Sequence, residues 1–192
     1  MQTEQPHITE LLQACKKGST TAQFEIYKLY YKAMFNTALR ILQNTYDAED
    51  MMQEAFLNAF TKLDSFKGEV PFGAWLKRIV INKSLTHIKK KNKLQEVNLE
   101  VVDKKLESES GNEQEAVDMK IDYVNLKVKE VSKAMAQLKE SYRTILNLSL
   151  VEGYDNEEIA GIMNISNENC RTTISRAKSR LRKVLMESSV LN

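Results

Sequence analysis

Residues 154–185, YDNEEIAGIMNISNENCRTTISRAKSRLRKVL, decide how this chain folds. Asp155 and Glu158 stand at capping-box spacing, which opens a short helix by satisfying its first free amides. Ile159, Ile162 and Met163 then face inward, and Ala160 is small where two helices must cross closely. Asn164, Ile165 and Ser166 make the turn, because asparagine enters the left-handed region at a cost that a β-branched residue does not tolerate. Ser166 or Asn167 caps the helix that follows. On it Cys170, Ile174, Ala177 and Leu181 fall at i, i+4, i+7 and i+11, one buried stripe. The opposite face carries Glu168, Thr172, Ser175, Arg176, Ser179 and Lys183, with Asn169 and Arg171 beside it near the start. A short-chained, polar and basic face suits a helix lying in a major groove, so a helix-turn-helix is predicted here.

Upstream, residues 96–118 carry eight acids against Lys104 and Lys105, a net charge of −6, and few apolar side chains. Such a stretch cannot bury enough surface to fold alone, so a flexible acidic linker is predicted. Beyond it, Ile121, Val124, Val128, Val131, Met135 and Leu138 resume helical spacing, and a second helix is expected over residues 141–151, broken by EGYD.

The N-terminal part reads as four helices. Residues 8–17 form the first, stopped by Gly18. Ser19 caps the second, whose expected apolar face is Phe24, Tyr27, Tyr31, Met34, Phe35, Ala38 and Leu42. Asp47 opens the third, with Asp50 at capping-box spacing and Asp in both places. Its stripe of Ala48, Met51, Met52, Ala55, Phe56, Ala59, Phe60 and Leu63 is the cleanest in the chain. After the loop DSFKGEVP, Pro71 suits the first turn of a fourth helix running to about Asn92. That helix begins apolar, with Phe72, Trp75, Leu76, Ile79 and Val80, and ends in HIKKKNK.

Composition agrees. Only six glycines and two prolines occur in 192 residues, too few for the turns of a β-rich fold. No run of about 18 apolar residues exists, so membrane insertion is not expected, and MQTEQPHITE lacks the pattern of an export signal. Cys15 and Cys170 have neither disulfide nor zinc spacing, which fits reduced thiols in the cytoplasm. The net charge of +2 conceals two acid-free basic blocks, residues 70–95 and 169–186, on either side of the acidic bridge. The expected architecture is therefore all-α: two small helical domains, residues 1–94 and 121–192, joined by an acidic linker over 95–120.

EEIAGIMNISNENCRTTISRAKSRLRK resembles the C-terminal DNA-reading region of bacterial sigma factors. AEDMMQEAFLNAFTKLDSFKG followed by FGAWLKRIVINKSLTHIKKKNK resembles the N-terminal domain of their extracytoplasmic-function group. The resemblance implies a factor that directs core RNA polymerase to promoters. It implies minus-thirty-five contacts from Asn169, Arg171, Thr172, Ser175, Arg176, Ser179 and Lys183. It implies minus-ten contacts from Phe66, Lys67, Gly68, Arg78, Asn82, Lys89 and Lys90 around a base flipped from the melted strand, an extrusion that costs a few kcal/mol. On the third helix Asp47, Asp50, Gln53, Glu54 and Leu57 are the implied polymerase contacts, an apolar residue set in an acidic patch. An anti-sigma factor is an implied partner. Asn164, Cys170, Thr173 and Thr86 depart from the usual family residues, and no base contact is carried over to Thr173 or Thr86.

Two other readings compete. A free-standing helix-turn-helix regulator explains the residues after Ile121 and leaves the acidic and lysine-ended helices without a task. A nuclease built on residues 47–54 lacks a clustered histidine, a glycine-rich loop and a nucleophile–base pair. No catalytic residue, cofactor or metal site is expected.

Overall fold

A computed structural model describes residues 6–98 and 119–190, and among them every regular element is helical. The chain divides into two units, Met1–Lys104 and Lys105–Asn192.

In the first unit, α1 (Pro6–Lys16) ends at Gly18, whose φ of 84° is open to glycine without strain. The hydroxyl of Ser19 accepts from the Ala22 amide at 3.3 Å and starts α2 (Thr20–Leu42). The expected face of α2 needs correction. Phe24 is 59% and Tyr31 45% exposed, while Ile26, Met34, Thr37, Ala38 and Ile41 are buried. Helix α2 packs against α1, α3 and α4 and is apolar on several sides, so periodicity alone left its rotation open.

The cap of α3 (Thr45–Thr61) also differs from expectation. Asn44, in extended conformation, accepts from the Asp47 amide at 2.9 Å, so the helix starts before Asp47 instead of at it. Gln43, left-handed at φ 54°, closes α2 immediately before, which makes the connection only two residues long. The expected stripe of α3 is buried from Ala48 to Leu63, with Phe60 half-buried.

A 3-10 turn (Leu63–Ser65) leads to α4 (Phe72–Asn98). The Pro71 carbonyl accepts from the Trp75 amide at 3.1 Å, so proline stands just ahead of the helix. Helix α4 runs six residues past the expected end at Asn92, into the segment read as linker. A Cβ on Gly73 would stand 2.7 Å from a ring carbon of Tyr30, so any larger residue there would have to displace that ring. Phe72, fully buried, meets Tyr30, Phe66 and Trp75 at ring-centroid distances of 5.6, 5.6 and 5.7 Å.

The second unit starts with α5 (Met119–Ala136), so the linker read over 95–120 lies outside the described residues except at its two helical ends. The side chains of Ile121 and Val124 likewise lie outside them. Val128 and Val131 are 58% and 37% exposed; among the described side chains Ala134 and Met135 of α5 are buried, as is Leu138 just beyond it. The helix expected over 141–151 is α6 (Glu140–Leu146) continued by a π turn (Asn147–Val151), in which the Glu152 amide reaches back to the Asn147 carbonyl at 3.0 Å. Helices α7 (Asn156–Met163) and α8 (Asn167–Val190) follow and pack on one another.

Candidate nucleic-acid interface

The turn between α7 and α8 is built as its residues require. Asp155 accepts from the Glu157 and Glu158 amides at 2.8 Å each, and Glu158 accepts from the Asp155 amide at 2.9 Å, a complete capping box. Asn164 sits at φ 56°, ψ 54°, the left-handed position predicted for it. Ser166 is the cap of α8, accepting from the Asn169 amide at 3.2 Å.

Cys170, Ile174, Ala177 and Leu181 are buried, and Val184 extends their stripe by one turn. Ile159, Ala160 and Ile162 of α7 are buried too, while Met163 is only half-buried. Burial pushes the Cys170 thiol up, outweighing the nearby Arg171 charge, and raises Cys15 as well. Both cysteines are free and buried, small apolar groups in effect. Asn169, Arg171, Thr172, Ser175, Arg176, Ser179 and Lys183 are all exposed on α8. The Thr172 hydroxyl donates to the Glu168 carbonyl at 2.9 Å, and Lys183 lies 3.9 Å from Glu187.

On α4 the basic residues separate into two sides. At about 100° per residue, Arg78, Asn82 and Lys89 share one line, with Trp75 and Lys93 next to it. Arg78 is half-buried; Asn82, Lys89 and Lys93 are exposed. Lys83, His87, Lys90 and Lys91 lie on the side turned toward α3. Lys83 donates to Glu54 at 2.8 Å, and Asp47 Oδ2 takes Lys91 at 3.0 Å and His87 at 3.4 Å. Lys90, an expected DNA contact, adds its charge to the field on Glu54. Before α4, Lys67 and Gly68 are exposed, with Gly68 at φ 74°. Phe66 is half-buried and packs on Phe72 and on Trp75, whose centroid is 5.2 Å away.

The acidic face of α3 is therefore divided. Asp47 and Glu54 border the α4 seam and are ion-paired there. Asp50, Gln53 and Leu57 point away from it, with Leu57 69% exposed. Among the described residues Asp50 takes part in no ion pair, and Gln53 donates to Glu49 at 3.3 Å. Sequence reading missed Tyr46, 81% exposed and in line with Asp50, Gln53 and Leu57. The signal was available: an aromatic at the start of α3, off its buried stripe. It also missed the pairing roles of Lys83, His87 and Lys91, because residues 29 and 44 positions apart show no spacing rule.

Burial alone would push the Asp47 carboxyl up, but hydrogen bonds and charge from Lys91 and His87 outweigh it and hold it below its ordinary range. Glu54 is lowered chiefly by its hydrogen bond from Lys83. A depressed carboxylate stabilises the fold above its unfolded pKa and stops doing so as pH falls through the folded one. The melting temperature should thus fall as pH drops from about 5 to about 3. Part of that fall should be missing in Asp47→Asn; an unchanged pH profile in that variant would contradict the ion-pair assignment.

Comparison with known proteins follows the same division. The sigma-70 region 2 family model matches residues 26–94, and the sigma-70 region 4 model matches residues 129–181. The chain is 30% identical to the ECF RNA polymerase sigma factor SigW of Bacillus subtilis over 182 residues, covering 94% of this chain and 97% of SigW. It is 28% identical over 173 residues to the ECF RNA polymerase sigma-E factor of Escherichia coli K12, covering 88% of each. Among solved structures, the sigma factor RpoE in complex with the anti-sigma factor NepR from Bartonella quintana superposes with a TM-score of 0.62 at 22% identity, covering 84% of this chain and 95% of that one. CnrH in complex with the cytosolic domain of CnrY gives 0.52 at 20% identity, covering 92% and 96%. These two share the fold. Two region models in this order, together with the match along nearly all of SigW, show that the chain belongs to the ECF RNA polymerase sigma factors.

Proposed function

We propose that this sigma factor binds core polymerase through the open strip of α3, the minus-ten element through α4 and its preceding loop, and the minus-thirty-five element through α8. Residues 1–94 then form the polymerase and minus-ten domain, residues 121–192 the minus-thirty-five domain, and residues 95–120 the linker between them.

The observation that carries this reading is α8. Its one face is buried in the fold, and its other presents Asn169, Arg171, Thr172, Ser175, Arg176, Ser179 and Lys183 with no acid between residues 169 and 186. Arginine and asparagine edges read purine acceptors in the major groove, while the short hydroxyls allow close approach. On α4, Asn82 is suited to a base edge, and Arg78, Lys89 and Lys90, with Lys67 of the preceding loop, to phosphates. Phe66, supported by Phe72 and Trp75, underlies the loop that would hold an extruded base. Tyr46, Asp50, Gln53 and Leu57 form the polymerase contact, an apolar centre beside a carboxylate.

An anti-sigma factor is proposed as a further partner, since RpoE and CnrH are both seen bound, to the anti-sigma factor NepR and to the cytosolic domain of CnrY. The proposed compartment is the cytoplasm, where polymerase and promoters are; no described helix is long and apolar enough to cross a membrane.

Run-off transcription with purified core enzyme on a promoter library tests the assignment. Arg176→Ala should weaken upstream promoter binding by about 10-fold or more at matched salt while leaving core affinity alone. Unchanged promoter affinity would remove α8 from the proposal.

A further inference from the structure

Helix α4 outruns the core that supports it. Among its described side chains the last fully buried one is Ser84, whose hydroxyl is satisfied by the Val80 carbonyl at 2.9 Å. From Leu85 onward the described side chains are half-buried or exposed, and residues 89–94 are all exposed. This is the stretch that carries the lysine run. Beyond the half-buried Leu85 and Ile88 the helix gains no apolar support among the described side chains, so polar contacts are what steady its end.

Asp47 reaches it from the first turn of α3. Its Oδ2 takes both Lys91 and His87, one turn of α4 apart. Asp47 is itself fixed, because the side chain of Asn44 holds its amide at 2.9 Å. Its side chain is 23% exposed, against 52% for Glu54. The result is a connected line from Asn44 through Asp47 to Lys91. With His87 and Lys91 against α3, the helical period places Lys89 in line with Arg78 and Asn82 on the other side, and Lys93 next to them.

We propose that Asp47 is a positioning residue for DNA binding, holding the lysine-rich end of α4 through His87 and Lys91, and is not a polymerase contact. The inference rests on the reading above, in which the open strip of α3 meets polymerase and α4 meets DNA. It changes the task of the acidic helix: one strip serves the partner protein, the other sets the direction of the neighbouring DNA-binding helix. Glu54 and Lys83 form a second tie of the same kind nearer the core.

The test uses the full chain, with core affinity and holoenzyme affinity for a promoter fragment measured separately. Asp47→Asn should leave core affinity within about two-fold and lower promoter affinity by about three- to ten-fold, the scale of one partly buried ion pair. Lys91→Asp alone should lower promoter affinity as well. The swap Asp47→Lys with Lys91→Asp should restore it to within about two-fold, and Asp47→Glu should also retain it. A purely local stability role would lower the melting temperature of the single variants and leave the promoter affinity of the folded holoenzyme unchanged, so affinity is measured well below each variant's melting temperature. Loss of core affinity in Asp47→Asn, or absence of rescue by the swap, overturns the proposal. Asp50→Lys is the parallel arm: if it leaves core affinity intact, the reading of α3 as the docking helix fails instead.

Discussion

Asp50→Lys combined with Leu57→Ala is expected to lower affinity for core polymerase by about 100-fold, with the helical circular dichroism spectrum unchanged. Both side chains are exposed, and neither supports the fold: Leu57 is 69% open to solvent, and Asp50 has no ion pair among the described residues. The pair combines two losses. Reversing a charge at an electrostatically matched interface turns attraction into repulsion, and truncating a central apolar residue removes a desolvated anchor, each of order 1–2 kcal/mol or more. Glu54 is a poor choice for the same test. A lysine there would face Lys83, so the variant would disturb the α3–α4 seam as well as the surface. Fluorescence anisotropy of labelled protein titrated with core enzyme gives the answer, and affinity within a few-fold of the unmodified chain would remove the α3 strip from the polymerase contact.

Phe72→Ala should be the most destabilising single change in the first unit, by about 3–5 kcal/mol. Phe72 is completely buried and joins Tyr30 of α2 to Phe66 in the loop and Trp75 on its own helix. Removing its ring leaves a cavity that three aromatic neighbours cannot close without leaving their rotamers. A domain of this size has about 5–15 kcal/mol in total, so a large share would be lost. Trp75 is the chain's one tryptophan, so its fluorescence in a urea titration reports this unit. Phe72→Leu, which keeps most of the volume, should cost distinctly less. Because Phe66 rests on Phe72, minus-ten binding should weaken in Phe72→Ala even under conditions where the unit stays folded. A midpoint shift equivalent to less than about 1 kcal/mol would show that the cluster does not hold the loop.

Much of the helix-turn-helix was legible because its determinants are local. A capping box spans three residues, a left-handed asparagine marks one turn, and a buried stripe repeats every three or four positions. Asp155, Asn164 and Cys170 each took the place that such short-range rules assign. The cap of α3 was misread, at Asp47 instead of Asn44, because two polar candidates stood close together and only the tight connection after Gln43 chose between them. The rotation of α2 was misread for a different reason. Phe24 and Tyr31 continue a helical period as well as Ile26 and Ile41 do, and the choice depends on which sides the other helices cover.

The sequence by itself determined the helical class, the two separate basic blocks and the exposed polar and basic face of α8, since each follows from composition or from contacts within a few residues. Only the tertiary structure decided which carboxylates of α3 are open and which are held by Lys83, His87 and Lys91. Those partners lie tens of residues away, and no periodic signal links them. An ion pair between two helices depends on their relative rotation and register, and these are set by how the whole core packs.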